Sequence, residues 1–337
     1  MSNKIVEYHS FHIPVMGIGF TIDTPIKVAH YGINSVISLV DDSLIERMRM
    51  LYCKKYDLPY SPISNNHFDR RAERIKSYLN LVHRIVKDNI KNYKNKIIND
   101  INELNNYMNM FPDYSKFKMR FLELKEKYGN ANVLKWVVDN MPIGSIDVNI
   151  MTKLDKENYF NGEKLGIEYN DAHSALRGYA NSDLSSSVIF SAGMNPSLYC
   201  YLEQFKDFYP TDSGFIKKKI ILKVSDYRSA IIQGKFLAKK GLWVSEFRIE
   251  SGVNCGGHVF GVEGKMVGTI LEEFKLKRKN LKEEIYNIFI NSIRLKNYEE
   301  PSIDNLIQKI TYQGGVGTSA EHEFLLDYYK LNSIGWG

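Results

Sequence analysis

The sequence predicts an α/β fold: a (β/α)8 barrel of the TIM type with two helical insertions, ending at its eighth strand. Three observations predict it. Short β-branched runs alternate with helical patterns along most of the chain, which is the rhythm of a parallel sheet. Eight such runs can be counted, and eight parallel strands close a barrel. The 337 residues are more than one ordinary domain needs, but suit one barrel that carries insertions.

The first run is IPVMGIGF, residues 13–20. A helix-like TPIKVAHYG follows, then the second run INSVISLV, ending at Val40. Asp41 and Asp42 open an amphipathic helix, DDSLIERMRMLYCKKY, as capping candidates. Residues 55–140 break the rhythm. They are polar and rich in Lys, Asn and Tyr, with apolar residues spaced by three and four, as one helix face requires. They are expected to be a helical insertion. The alternation resumes with GSIDVNIMT, where Ile146, Val148 and Ile150 share one face. SSVIFSAG, KKKIILKVSD, VSEFRIESG, KITYQGG and LNSIGWG come next. Helical patterns fit after Asp226 and after Thr318. A second insertion is expected over residues 262–305. The barrel is thus assigned to 1–54 and 141–337. The sequence stops at Gly337, directly after the eighth run, and the reading favours a fragment of a longer chain.

Hydrophobic residues make up 44% and charged residues 25% of the chain, as in a soluble globular protein. The net charge of +6 could mark nucleic-acid binding. The lysines, however, sit in helical stretches among acids, such as LELKEKYG, and read as solvated helix surface. Cys53, Cys200 and Cys255 form no CxxC pair. Zinc and disulfide frameworks are not expected, and a reducing, cytoplasmic location is. No signal peptide and no membrane-spanning stretch is read. The expected partner is a small-molecule substrate, with no nucleic acid and no membrane, and with a homo-oligomer left open.

Barrel active sites lie at the C-terminal ends of the strands. Standing there are Met16, Gly17, Ile18 and Gly19 after strand one, and Asn149 and Met151 on strand three. Ser191, Ala192 and Gly193 follow strand four, and Lys223 stands on strand five. Gly252 to His258 follow strand six, and Gln313 to Ser319 follow strand seven. The last of these is a Gly-rich turn before a helix, where free N–H groups and the helix dipole favour phosphate. The same string also serves as a simple helix-capping turn, with Thr318 or Ser319 as cap. Gly256 and Gly257 before His258 let the backbone approach a flat ligand and present an imidazole suited to proton transfer near neutral pH. A surface histidine with one hydrogen bond is the competing reading. Lys223 either pairs with an anionic ligand or reaches solvent at the rim. Cys255 reads as a packing residue before a reactive thiol. His30, His322, Trp243 and Trp336 read as structural, and Glu321 and Glu323 as favouring the helix dipole.

These residues carry a resemblance. Val-Asn-Cys-Gly-Gly-His (253–258) resembles the Glu-Ala-Gly-Gly-His segment of nitronate monooxygenases, the 2-nitropropane dioxygenase-like flavin barrels that include related FMN-dependent enoyl-ACP reductases. The opening IPVMGIGFTIDTPIKVAHYGINSVISLV is similar to that family's start. DVNIM resembles its Gly-Val-Asn-Leu strand, SSVIFSAGMNP its Ser-Phe-Gly-X-Pro strand, and ITYQGGVGTS its Ala-Gly-Gly-Ile-Ala-Thr phosphate loop. The order matches across the barrel and leaves out both insertions. The resemblance implies FMN. Its ring would lie near Met16, Gly17 and Asn149, and its phosphate on Gly314, Gly315, Gly317 and Thr318. Gly256 and Gly257 would line the ring or ribityl chain, with Lys223 at the cofactor site and His258 as proton acceptor or donor. The implied activity is an FMN-dependent oxidoreductase of the monooxygenase or dioxygenase type, acting on a nitroalkane or nitronate. The alternatives are an enoyl-thioester reductase module of a longer synthase-like protein, with NAD(P)H as reductant, and a catalytically silent barrel that acts as a binding module. The chain departs from the family in two places. Asn254-Cys255 stands where the family has an acidic residue, and the Gly-Thr-Arg-Phe-like segment that follows strand eight is absent.

Overall fold

A computed structural model of the chain describes residues 9–17, 19–113, 115–191, 193–211, 213–250 and 266–336, with 130–132 described for backbone only. The strands of the main sheet are β1 (Phe11–Ile13), β2 (Asn34–Ser38), β3 (Ile146–Ile150), β4 (Ser186–Phe190), β5 (Lys218–Val224), β6 (Val244–Glu250), β7 (Lys309–Gln313) and β8 (Ser333–Gly335). Each pairs in parallel with the next, and β8 returns to β1 to close the barrel. The closing register sets His12 opposite both Asn34 and Gly335.

Side chains alternate between lumen and helix shell along every strand. Ile37, Val148, Val188, Leu222, Phe247, Ile310 and Ile334 face the shell and join the main core. Val36, Ile189 and Ile221, with Val15 against them, form a separate small cluster in the lumen. The other lumen positions are largely polar.

Ten helices are described: α1 (Thr24–Val28), α2 (Asp42–Lys55), α3 (Arg70–Asn99), α4 (Ile101–Asn109), α5 (Lys116–Asn140), α6 (Asp171–Ala180), α7 (Pro196–Tyr201), α8 (Tyr227–Ala238), α9 (Val267–Leu295) and α10 (Ser319–Tyr328). Their starts are chemically marked. The Asp41 carboxylate accepts from the N–H groups of Ser43 at 2.8 Å and Leu44 at 3.1 Å, and Asp226 accepts from Ser229 at 2.7 Å. Both satisfy first-turn donors that have no carbonyl partner of their own.

Three features differ from the sequence reading. The first strand lies at Phe11–Ile13, before most of the apolar run expected to form it. Pro14 has no N–H to continue the ladder, and the run beyond it leaves the sheet, with Met16 and Phe20 exposed. The segments set apart as insertions contribute to the shell. Ile75, Tyr78, Leu79 and Val82 of α3 belong to the main core, as do Phe274, Leu281, Ile285 and Phe289 of α9. Only the end of α3 with α4 and α5 builds a second cluster, around Ile97, Tyr107, Phe111, Phe117 and Val137. Lastly, a small antiparallel hairpin pairs Tyr159–Phe160 with Glu163–Lys164 after β3. Its turn is Asn161-Gly162, both at positive φ, as a tight two-residue hairpin turn requires.

Helices α3 and α6 touch at Gly178. A Cβ there would lie 2.7 Å from the Ala72 carbonyl oxygen and 2.8 Å from Ile75 Cγ2. Backbone cannot yield as a flexible side chain can. Gly178→Ala is therefore expected to destabilise the chain by about 1–3 kcal/mol, despite alanine's better helix propensity. Urea denaturation of the two proteins checks this, and an unchanged or raised midpoint would remove α3 from the shell.

Candidate functional site

The lumen is organised by charged residues that alternate along β6. Glu246, Arg248 and Glu250 all face inward and all are buried. Glu246 Oε1 accepts from Arg248 Nε at 2.8 Å and from the Thr311 hydroxyl at 2.6 Å, with Arg248 Nη2 in ion-pair contact at 2.8 Å. Burial alone would raise the Glu246 carboxyl; Arg248 beside it, with His12 and Lys309, brings it down to about 2. The pair is thus ionic and hydrogen-bonded, the form in which buried charge is tolerated. His12 Nδ1 is 3.0 Å from the Ser333 hydroxyl. The Gln313 amide lies alongside His12 Nε2 without closing an aligned hydrogen bond. Burial and the neighbouring Arg248 push the His12 imidazole down to about 3.

The C-terminal mouth holds the described members of the expected site. Asn149 is buried on β3, and its side-chain oxygen has no hydrogen-bond partner among the described residues. On β7, Gln313 Nε2 donates to Glu250 Oε1 at 2.6 Å, and Gln313 Oε1 faces His12 without an aligned hydrogen bond. Lys223 on β5 is paired within the lumen. Its ammonium lies 3.2 Å from Glu250 Oε1, and both side chains are largely enclosed. Met16 and Gly17 sit in the loop after β1. There the Thr21 hydroxyl accepts from both of their N–H groups, at 3.0 and 3.2 Å.

The turn after β7 has the backbone its glycines foretell, with Gly314 at φ 106° and Gly315 at φ 70°. It runs into a capping box. Thr318 caps α10 by accepting from Glu321 N, and the Glu321 carboxylate reaches back to Gly317 N at 2.8 Å and Thr318 N at 3.0 Å. These two hydrogen bonds hold the Glu321 carboxyl below its ordinary value. Two of the four N–H groups assigned to a phosphate therefore already bind an anion from within the chain. Gly256, Gly257 and His258, with Cys255, lie outside the described residues.

A second polar region was not foreseen. At the opposite, N-terminal end of the barrel a cavity of about 350 Å³ is lined by His12, Asp147, Glu246, Arg248 and Lys309, among others. Its signal was present in the sequence. The alternation of acid, base and acid in VSEFRIE places charge on one face of a strand, and in a closed barrel that face points either to the lumen or to the shell. Among the described residues no group of three or more His, Cys, Asp or Glu is arranged to hold a metal ion. No helix there is long and apolar enough to cross a membrane.

Fold and site together define a closed (β/α)8 barrel with a polar lumen and a glycine turn at its C-terminal mouth. No protein-family model matches the chain, and no curated protein matches it.

These groups set two expectations. Below about pH 6.5 the unfolded chain protonates His12, while the folded chain does so only near pH 3. Stability therefore falls as pH drops through that window, by roughly 1.4 kcal/mol per pH unit for one such group. His12→Gln is expected to flatten that slope in denaturation curves at pH 7, 5.5 and 4.5; an identical slope would mean that His12 is solvated. Glu321→Ala frees the Gly317 and Thr318 N–H groups. It should lower the melting midpoint and raise affinity for inorganic phosphate roughly two- to five-fold, as expected when one charge leaves a helix N-terminus. Isothermal titration with phosphate measures this, and unaltered affinity would place phosphate elsewhere.

Proposed function

We propose that the chain is an FMN-dependent oxidoreductase of the nitronate monooxygenase type, with its site at the C-terminal mouth of the barrel. The observation that carries this reading is the buried acceptor Asn149 Oδ1, which lacks a partner among the described residues. Buried polar atoms without partners are costly. A flat ligand with an N–H on its ring edge would satisfy Asn149 Oδ1. The left-handed backbone at Gly314 and Gly315 leaves room beside Gln313 for a ring or its chain to approach. FMN fits these groups, and when bound it supplies redox chemistry with substrate and oxygen.

The chain's own residues would do the remaining work. Asn149 would orient the ring by accepting from its N–H edge. The Lys223–Glu250 pair, neutral as a unit, would hold Gln313 Nε2 in place. Gly314 and Gly315 would meet the phosphate end, joined by Gly317 and Thr318 once Glu321 gives way. His258 would take a proton from the carbon beside the substrate's electron-withdrawing group and release it to solvent before the next turnover. One observation favours a second reading, the catalytically silent barrel. The Glu321 carboxylate already occupies the N–H groups of Gly317 and Thr318, so the turn is complete without a ligand phosphate.

Flavin content and turnover test the proposal together. The purified full chain, reconstituted with FMN, is expected to bind it and to consume oxygen with a nitroalkane. His258→Ala is expected to keep its flavin and lose at least about 100-fold in turnover, within the usual contribution of a general base. A chain that takes up no FMN supports the silent barrel, and a His258→Ala protein of full activity removes the imidazole from the reaction.

A further inference from the structure

Across the mouth from the glycine turn, the loops after β3 and β4 bring together three residues that no strand carries. Asp155 lies in the loop after β3, His173 in the first turn of α6, and Ser197 in the first turn of α7. His173 Nδ1 is 2.8 Å from Asp155 Oδ2, and His173 Nε2 is 3.3 Å from Ser197 Oγ. The imidazole is 1% exposed, with the Tyr201 ring centred 5.2 Å away, whereas Ser197 is exposed to solvent. The carboxylate lies oblique to the ring N–H direction, so Nδ1 is close to it without an aligned hydrogen bond. Such bonds are commonly loose before substrate binds.

We propose that Asp155, His173 and Ser197 form a hydrolytic relay, with Ser197 as nucleophile toward activated acyl esters or thioesters. The order of groups is that of a serine triad: carboxylate, imidazole, hydroxyl, joined through opposite ring nitrogens. Such triads are recognised by geometry and not by fold or chain order. Asp155 is itself held on several sides. Its Oδ1 accepts from Ala172 N at 2.9 Å and His173 N at 3.4 Å, and Asn195 Nδ2 lies 3.5 Å from its Oδ2. The same Asn195 amide donates to the Thr152 carbonyl at 3.0 Å, which ties the two loops together. Capping of α6 accounts for the Asp155 contacts, but it does not require the imidazole's far nitrogen to meet an exposed hydroxyl. The two loops also expose Met151, Leu154 and Met194. Apolar surface beside a nucleophile suits an acyl chain better than a charged substrate.

The step balances without a cofactor. Ser197 Oγ adds to the acyl carbonyl carbon as its proton passes to His173 Nε2. Collapse of the adduct breaks the bond to the alcohol or thiol, which leaves with the proton from His173. Water then adds to the acyl-serine, giving its proton to the same nitrogen, and the acid departs as Ser197 Oγ recovers that proton. Ser197 and His173 are the catalytic residues, and Asp155 is a positioning residue.

The test uses the full chain with a fluorophosphonate probe and peptide mapping, and with p-nitrophenyl butyrate. The wild type is expected to be modified at Ser197 and to hydrolyse the ester whether or not it holds flavin. Ser197→Ala, at an exposed position, should melt as the wild type does and lose at least about 100-fold in hydrolysis. His173→Gln should lose labelling. Asp155→Asn should lower kcat with KM and melting midpoint unchanged, and Asp155→Glu should recover part of it. A folded wild type left unmodified at Ser197 overturns the proposal, as does Ser197→Ala hydrolysing at the wild-type rate.

Discussion

The ring of strands closes through its two shortest members, β1 and β8, and that seam decides what the lumen can hold. Backbone pairing there spans two residue pairs, Phe11 with Ile334 and His12 with Gly335. Side chains reinforce it from both sides. Inside, the His12 ring meets the Ser333 hydroxyl at 3.0 Å. Outside, His322 of α10 takes the Trp336 indole N–H on Nδ1 at 2.8 Å, which leaves Nε2 to donate to the Ser10 hydroxyl at 2.9 Å. Glycine at 335 is part of the same fit, because a Cβ there would lie 2.6 Å from Gln313 Cβ and 3.0 Å from His12 Nε2. Were the seam to open, β1 and β8 would each present an unpaired edge, and Gln313 and His12 would lose their enclosure.

Closure then forces a choice at every second residue. The shell-facing positions are apolar and pack on α3, α6, α8 and α9. The lumen-facing positions carry Glu246, Arg248, Glu250, Lys223, Asn149 and Gln313, and almost every charge finds an opposite. Buried ion pairs of this kind add little stability over an apolar filling. What they do here is separate two polar ends. The N-terminal end has the cavity beside Arg248 and Glu246. The C-terminal end has the Asn149 acceptor, unpartnered among the described residues, and a left-handed glycine turn.

Much of this was legible in the sequence, for identifiable reasons. Seven of the eight strands fall where the β-branched runs put them, because the shell side of each strand must be apolar. The first was displaced because its lumen and shell sides are read from His12 and Phe11, which precede the apolar run. The caps at Asp41 and Thr318, and the helix start after Asp226, were legible because they depend on a few adjacent residues. The Asn161-Gly162 hairpin was equally local and was passed over. Helix α9 was set apart within an insertion, and its apolar positions Phe274, Leu281, Ile285 and Phe289 pack in the main core. The engagement of Lys223 with Glu250 could not be read, since it needs the coordinates of a partner, whereas that of Glu321 follows from the Thr318-Ser319-Ala320-Glu321 spacing of a capping box and was passed over. The Asp155–His173–Ser197 set lies further still from a linear signal, with gaps of 18 and 24 positions and no motif around any of the three.

The central claim is that the C-terminal mouth, and not the N-terminal cavity, receives a flat phosphorylated ligand. Amide hydrogen exchange of the full chain, with and without FMN, tests it by location. The account predicts slowed exchange at residues 149–153 and 313–318, with the segments around Asp147 and Lys309 unchanged. Protection confined to those N-terminal segments, or no protection at all, would contradict it.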